Sequence, residues 1–434
     1  MNIDYDLLII LISSIISVMV VLLIFTSFYY IFYWALSAKP TVPVPHSDKL
    51  SKFAVLIAAR NESKVISHLL ESLANQTYPR THFDVYVIVE SEKDPSIEIA
   101  KSFGFFSFVR DRLEDGRRTK GFALQECIDY LWRNNLNYDA YMIFDADNIL
   151  DSNFIEAMND LRQTGVRVGL GYRNFTNANT NWLTTGSAIM FSYMNQVTSK
   201  GRSFAFHKVT LMGTGYYVDD QIIKDAGGWI FTGMTEDIQL TVYCYYHDIN
   251  MRYYPLVSFY DEQSTKFKTV HMQHVRWLGG YFQRRTFLKH AGVQHDYHPK
   301  RMQTLMRAEF YCGLIPFAVF HVINFITSIV CIVFGSLAVV ARASSYDIGM
   351  LFFLAFLTLL LNYLSLVVPA ILTVVRDDKN LQLTRKNKIK GVLTYAFFFY
   401  DFALAFLDGL FHPEKTRTWS KIKHTGEVTY KDIK

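Results

Sequence analysis

Cysteine is scarce in this sequence: Cys127, Cys244, Cys312 and Cys331 are the only four in 434 residues, and no pair has Cys-x-x-Cys spacing. That pattern offers neither a zinc knuckle nor a disulfide framework, and it fits a reduced, cytoplasmic setting. Gly-x-Gly-x-x-Gly and Gly-x-x-x-x-Gly-Lys-Ser/Thr loops are also absent, which argues against a dinucleotide dehydrogenase and a P-loop nucleotidase. Charged residues make up only 19% of the chain, and the basic excess of +5 reads as charge flanking a membrane, not as a nucleic-acid surface.

Apolar and aromatic residues are abundant: 50% of the chain is hydrophobic, with 35 Phe and 27 Tyr. They are clustered. Leu7 to Ser37, Phe310 to Ala341 and Ile348 to Val375 carry no charged residue, and each exceeds the roughly 20 residues needed to cross a bilayer core. Gly391 to Phe411 is long enough too, but holds Asp401 and Asp408. The first run follows acidic Asp4 and Asp6 and is about twice a signal-peptide core, so it reads as a retained anchor. The expected organisation is a first membrane helix over 1–40 and a catalytic domain over 41–300 that ends in interfacial helices. A membrane region over 301–411 and a basic tail over 412–434 complete it. Lys39, Lys49 and Lys52 after the first run put the N-terminus outside and the catalytic domain in the cytoplasm of a multi-pass cell-membrane protein.

Strand, polar turn and helix then alternate. Phe53 to Ala59 reads as a buried strand entering Arg60-Asn61-Glu62-Ser63, followed by Val65, Ile66, Leu69, Leu70 and Leu73 in helical phase. Val85 to Val89 is a second strand ending in Glu90 to Pro95, and the helix Glu126 to Arg133 leads to the strand Tyr141 to Phe144. Continuous apolar strands alternating with helices predict an α/β fold with a parallel, doubly wound sheet. Arg60, Glu90, Asp94, Asp145 and Asp147 then fall at the strand ends where ligands bind. Past residue 150 the pattern is mixed, with a strand over Val168 to Tyr172 and a helix over Trp182 to Val197.

Four patterns carry chemistry. Asp145 and Asp147, two apart at a strand end, can turn to one divalent cation, although a solvated turn also uses Asp-x-Asp. Gly213-Thr214-Gly215 admits close approach of backbone to a ligand, or is a plain glycine turn. Thr235 is placed as an N-cap with Glu236 and Asp237 in the first turn, a structural arrangement that also offers a general base. Gln273, Arg276 and Trp277 share a helix face suited to a sugar ring beside a phosphate, and a membrane-surface helix would carry the same Arg and Trp. His271, His274, His290, His295 and His298 are loosely clustered and read as part of an interfacial helix, with a metal site as the alternative.

Taken in order, Ala58-Ala59-Arg60-Asn61-Glu62, Glu90 to Asp94, Lys120-Gly121, Asp145-Ala146-Asp147, Thr235-Glu236-Asp237 and Gln273-x-x-Arg276-Trp277, followed by membrane helices, resemble the membrane-bound family 2 glycosyltransferases. Cellulose, chitin, hyaluronan and poly-N-acetylglucosamine synthases belong to that group. The resemblance implies a GT-A-like domain with a mixed, mostly parallel sheet, joined to transmembrane α-helices. It implies that Asp145 and Asp147 bind the nucleotide diphosphate through Mg²⁺ or Mn²⁺, with Arg60, Glu62, Glu90, Asp94 and Lys120 around the nucleotide-sugar donor. Asp237 would be the general base, while Glu236, Gln273, Arg276, Trp277, Gly213, Thr214 and Gly215 would line the acceptor and diphosphate site. The family's carboxylate after the second strand is usually Asp, and Glu90 stands there in this chain. The implied reaction inverts an α-linked, UDP-linked donor onto a growing β-linked polysaccharide, processively and coupled to export; transfer of one sugar to a lipid is the alternative. Thr416 to His424, with Trp419 and Thr425, resembles the family's Trp-containing tail and favours Gly391 to Phe411 lying at the membrane surface.

Overall fold

The computed structural model describes residues 4–114, 117–290, 314–417 and 428–433. Its centre is an eight-stranded sheet of β1 (Phe53–Ala58), β2 (Phe83–Val89), β3 (Phe106–Val109), β4 (Ala140–Asp145), β5 (Ile149–Leu150), β6 (Val168–Phe175), β7 (Tyr216–Asp219) and β8 (Met251–Asp261). The order is β3-β2-β1-β4-β7-β6-β8-β5. The first four strands in that order are parallel, β7 is antiparallel to β4 and β6, β6 is parallel to β8, and β5 is antiparallel to β8. The sheet is therefore mixed, as the resemblance implied, and not the purely parallel one that alternation alone predicts.

Helices α2 (Ile66–Ala74), α3 (Ser96–Ser102), α4 (Lys120–Arg133) and α5 (Phe154–Gln163) follow the early strands. Helix α6 (Trp182–Met194) continues as a π-helical turn, Asn195–Gly201, into α7 (Arg202–Phe206); α8 (Asp220–Asp225), α9 (Glu236–Tyr246) and α10 (Phe267–His290) complete the domain. Strands β1 and β4 are covered on both faces, which is why they read as unbroken apolar runs. They are the neighbours at which the sheet order reverses, and Ala58 pairs with Asp145 at their carboxyl ends. A crevice at that reversal is where this kind of sheet holds ligands.

Among the described residues, four helices are long and apolar enough to cross a membrane. They are α1 (Tyr5–Leu36), α11 (Leu314–Val340), α12 (Ser345–Arg376) and, after the short α13 (Asp378–Leu381), α14 (Arg385–Phe411). Ile9, Ile12 and Ile16 of α1 cluster with Cys331 of α11 and Leu351 and Leu354 of α12. At the far end of α1, the Arg376 guanidinium lies 3.5 Å over the Trp34 ring and donates to Ser37 Oγ at 2.9 Å. The buried residues of α14 behave differently: Tyr395, Phe398, Phe402 and Ala405 belong to the same core as the sheet. Close approach is possible because α6 offers Gly186, where a methyl would lie 2.7 Å from the Phe398 ring.

Candidate active site

A cleft of about 940 Å³ opens at the carboxyl ends of β1, β2 and β4. Arg60 and Glu62 after β1, Glu90 after β2, and Asp145 and Asp147 after β4 all line it. The turn after β4 is held from behind. The Asp145 N–H donates to Thr214 Oγ1 at 2.9 Å, and the Thr214 hydroxyl in turn donates to Asn148. Lys120, at the start of α4, ion-pairs with Asp145, donates to the Gly213 carbonyl at 2.7 Å and stands 3.9 Å from Glu236. Burial opposes the Lys120 charge, but Asp145 and Glu236 outweigh it and keep the ammonium raised above its ordinary value.

Gly213 is the meeting point. It sits at φ +87°, and a methyl there would be 3.9 Å from Oδ2 of both Asp145 and Asp237. Gly215, at φ +74°, serves packing instead: a methyl would fall 2.0 Å from the Phe259 ring. Gly213 therefore lines the cleft, whereas Thr214 and Gly215 do not and support it from below.

Thr235 takes the expected N-cap position, with Glu236 and Asp237 in the first turn, but its side chain makes no cap hydrogen bond. The hydroxyl packs against α10, where a methyl on Gly280 would lie 2.4 Å from Thr235 Oγ1. That contact sets the first turn of α9 against the helix carrying Gln273, Arg276 and Trp277, all three of which line the cleft with Glu236 and Asp237. Burial, with Asp237 adjacent and Lys120 opposing, pushes Glu236 up to about 8. Burial also raises Asp237, held back by the Ile238 N–H, Lys120 and Arg276. Burial lowers Arg276 against the pull of Glu236, Asp145 and Asp237.

Sequence reasoning missed three residues. Arg173 of β6 holds Asp261 of β8 through Nε at 3.2 Å, donates to the Met212 carbonyl at 2.8 Å and lies 4.0 Å over the Phe191 ring. Phe191 in turn meets the Trp277 ring edge-on at 5.9 Å. Asp261 ends an apolar strand just as Asp145 does, so a signal existed. Arg110 bridges Glu90 at 3.4 Å and Glu126 at 2.8 Å, while Arg60 Nε stands 3.2 Å from Glu90; nothing in the sequence singled it out. Asp94 does not line the cleft: it accepts from the Ser96 and Asn61 N–H groups and so ties the loop after β1 to α3.

Among the described residues no three His, Cys, Asp or Glu form a ready metal cage. Mg²⁺ and Mn²⁺ sites do not require one, because a carboxylate or two plus substrate phosphates and water suffice. Asp147 fits that role: burial, and then the charges of Asp261 and Asp145, push it well above the usual carboxylate range, and a cation relieves that repulsion. The histidine pair serves packing, with Nδ1 of His271 and of His274 each 2.6 Å from an Asp401 oxygen. His295, His298, Trp419 and Thr425 lie outside the described residues.

The profile of "Glycosyltransferase like family 2" matches residues 51–280. A probable glycosyltransferase, YdaM, of Bacillus subtilis is 27% identical over 244 residues, 54% of this chain and 56% of that protein. The β-monoglucosyldiacylglycerol synthase of Trichormus variabilis is 28% identical over 242 residues, 53% of this chain and 49% of that one. The poly-β-1,6-N-acetyl-D-glucosamine synthase of Staphylococcus epidermidis is 24% identical over 259 residues, 58% of this chain and 60% of that one. The chain thus spans about half the length of the curated relatives it matches. Among solved structures, the mannosyltransferase PcManGT of Pyrobaculum calidifontis, in complex with GDP-Man and Mn²⁺, superposes with a TM-score of 0.55 at 13% identity, covering 91% of this chain and 98% of that one. That likeness establishes the fold. The matched segment runs from the linker before β1 to beyond Trp277 and takes in every cleft carboxylate described above, so the chain belongs to the family 2 glycosyltransferases.

Proposed function

We propose that the protein transfers a sugar from a nucleoside-diphosphate donor, with inversion, to a hydroxyl acceptor presented at the membrane. The convergence of Asp145 and Asp237 on Gly213 carries this reading. Arg60, Glu62 and Glu90, which line the cleft, would bind a uridine and its ribose, and Asp145 and Asp147 would hold the diphosphate with Mg²⁺ or Mn²⁺. The metal, when bound, supplies charge neutralisation at the leaving diphosphate. Lys120 and Arg276 line the same cleft and would add positive charge there. Asp237 takes the acceptor proton, and a carboxylate raised above its ordinary value is the stronger base for it. Glu236, protonated near neutral pH, spares the acceptor a second negative charge.

Two acceptor classes suit such a site: a β-linked polysaccharide, extended processively and exported, or a lipid that receives one sugar. The relatives' names include both a diacylglycerol glycolipid synthase and a polymer synthase. For topology, the positive charge after α1 supports a cytoplasmic catalytic domain in the cell membrane. The shared core of α14 with the sheet supports its lying along that domain at the membrane surface.

Asp237→Asn tests the assignment. Nucleotide binding should persist while transfer falls by at least about 100-fold, the lower end for losing a general base. Unchanged turnover removes Asp237 from that role.

A further inference from the structure

The cleft does not end at the carboxylates. Beyond Trp277 it runs between helices, past Met190 and Met194 at the end of α6, Leu366 and Pro369 of α12, and Phe402 of α14. Apolar side chains predominate along this gallery; the polar ones include Ser27, Thr198 and Ser365, the tyrosines Tyr30, Tyr193 and Tyr395, and Arg202. Its outer wall faces outward: Ile31 of α1 and Leu364, Val368 and Leu372 of α12 line it and are 57%, 42%, 46% and 42% exposed. Both helices have the length and apolarity to cross a membrane. They are joined at one end by Arg376 on Trp34 and at the other by the cluster of Ile9 and Ile16 with Leu351, so the opening lies between two fixed contacts.

We infer that the acceptor is an uncharged lipid alcohol whose apolar chains enter sideways between α1 and α12 and lie in this gallery with the hydroxyl at Asp237. This rests on the transferase reading above and names its substrate class. An aliphatic wall open to the bilayer matches acyl chains, whose burial it rewards. A sugar polymer brings several hydroxyls per residue, more than the few polar side chains of these mostly apolar walls can match. An alcohol is favoured over a lipid phosphate on two counts. A phosphate oxygen needs no base, and its negative charge would approach Asp237, Asp145 and Asp147. In the step itself the lipid oxygen bonds to the anomeric carbon and the bond from that carbon to the diphosphate oxygen breaks. The electron pair leaves on the diphosphate, and the hydroxyl proton goes to Asp237.

The test uses the full chain in phosphatidylcholine vesicles with a panel of radiolabelled nucleotide sugars, with dioleoylglycerol, with polyprenyl phosphate, or with neither. Label should pass to an organic-extractable lipid bearing one sugar only when dioleoylglycerol is present. Val368→Trp on α12 and Ile31→Trp on α1, which add bulk at the two helices that frame the opening, should each lower that transfer about tenfold, the effect of one modest steric contact, while nucleotide binding holds. A photoreactive diacylglycerol analogue should label 364–372 or 23–34 in the unaltered chain, which needs no variant to fold. A polymeric product, a preference for polyprenyl phosphate, donor consumption without lipid product, or labelling elsewhere overturns the inference and leaves the transferase reading standing. Failure to consume any donor overturns both.

Discussion

Replacing Glu236 with Gln probes the electrostatics of the cleft in a way that activity alone cannot. Glu236 opens α9, is buried beside Asp237, and has its pKa pushed from 4.5 to about 8, burial being the main cause. A group whose folded pKa is raised contributes stability that is complete below its unfolded value and is lost as pH climbs through the folded one. The window here is pH 4.5 to about 8. At about 1.4 kcal/mol per pH unit, the rise corresponds to about 5 kcal/mol. Lys120 stays protonated across the window because Asp145 holds it, so its charge does not confound the comparison. Thermal unfolding of wild type and E236Q in detergent, free of nucleotide, reads the difference. Between pH 5 and pH 8 about 3.5 kcal/mol of that stability is lost, so at about 2 °C per kcal/mol wild type should lose about 7 °C relative to the variant. Parallel pH profiles would refute the reasoning.

Other perturbations separate positioning from chemistry. Asp401 is buried and holds both His271 and His274 within a turn of Arg276 and Trp277, so Asp401→Asn should cost about 3 kcal/mol of stability, as breaking a buried charged contact does. It should lower kcat about tenfold with KM for the donor little changed; an unaltered kcat would show that α14 does not position α10. Gly215→Ala should abolish folded protein, since the methyl overlaps the Phe259 ring. Gly213→Ala should fold, at about 1–2 kcal/mol for its left-handed backbone, yet lose transfer because the methyl enters the gap between Asp145 and Asp237. The reverse order of severity, seen by expression and donor turnover, would contradict the roles given to the two glycines.

The legible parts of this fold were those whose causes are local. Strands β1, β2 and β4 are covered on both faces, so each wrote an unbroken apolar run ending in polar residues. Asp145, Asp147 and Asp237 could be picked out because acids at a strand end or a helix start have a recognisable context. Strands β3 and β5, with four and two residues, are too short to carry a period. The capping pattern correctly put Thr235 at the helix start, but being local it did not show that the side chain packs against Gly280 of another helix and makes no cap hydrogen bond. Arg173 and Asp261 are 88 residues apart and meet only because β6 pairs with β8. The gallery was invisible for the same reason: its walls come from α1, α6, α12 and α14, and each helix alone shows only apolar composition.

The most direct test of the central claim is the anomeric configuration of the product. Purified protein supplied with an α-linked nucleotide sugar, Mg²⁺ or Mn²⁺, and lipid vesicles containing dioleoylglycerol should yield a β-glycoside, read from the anomeric proton coupling by NMR. An α-linked product, or release of free sugar as the sole outcome, would contradict direct displacement with Asp237 as the base.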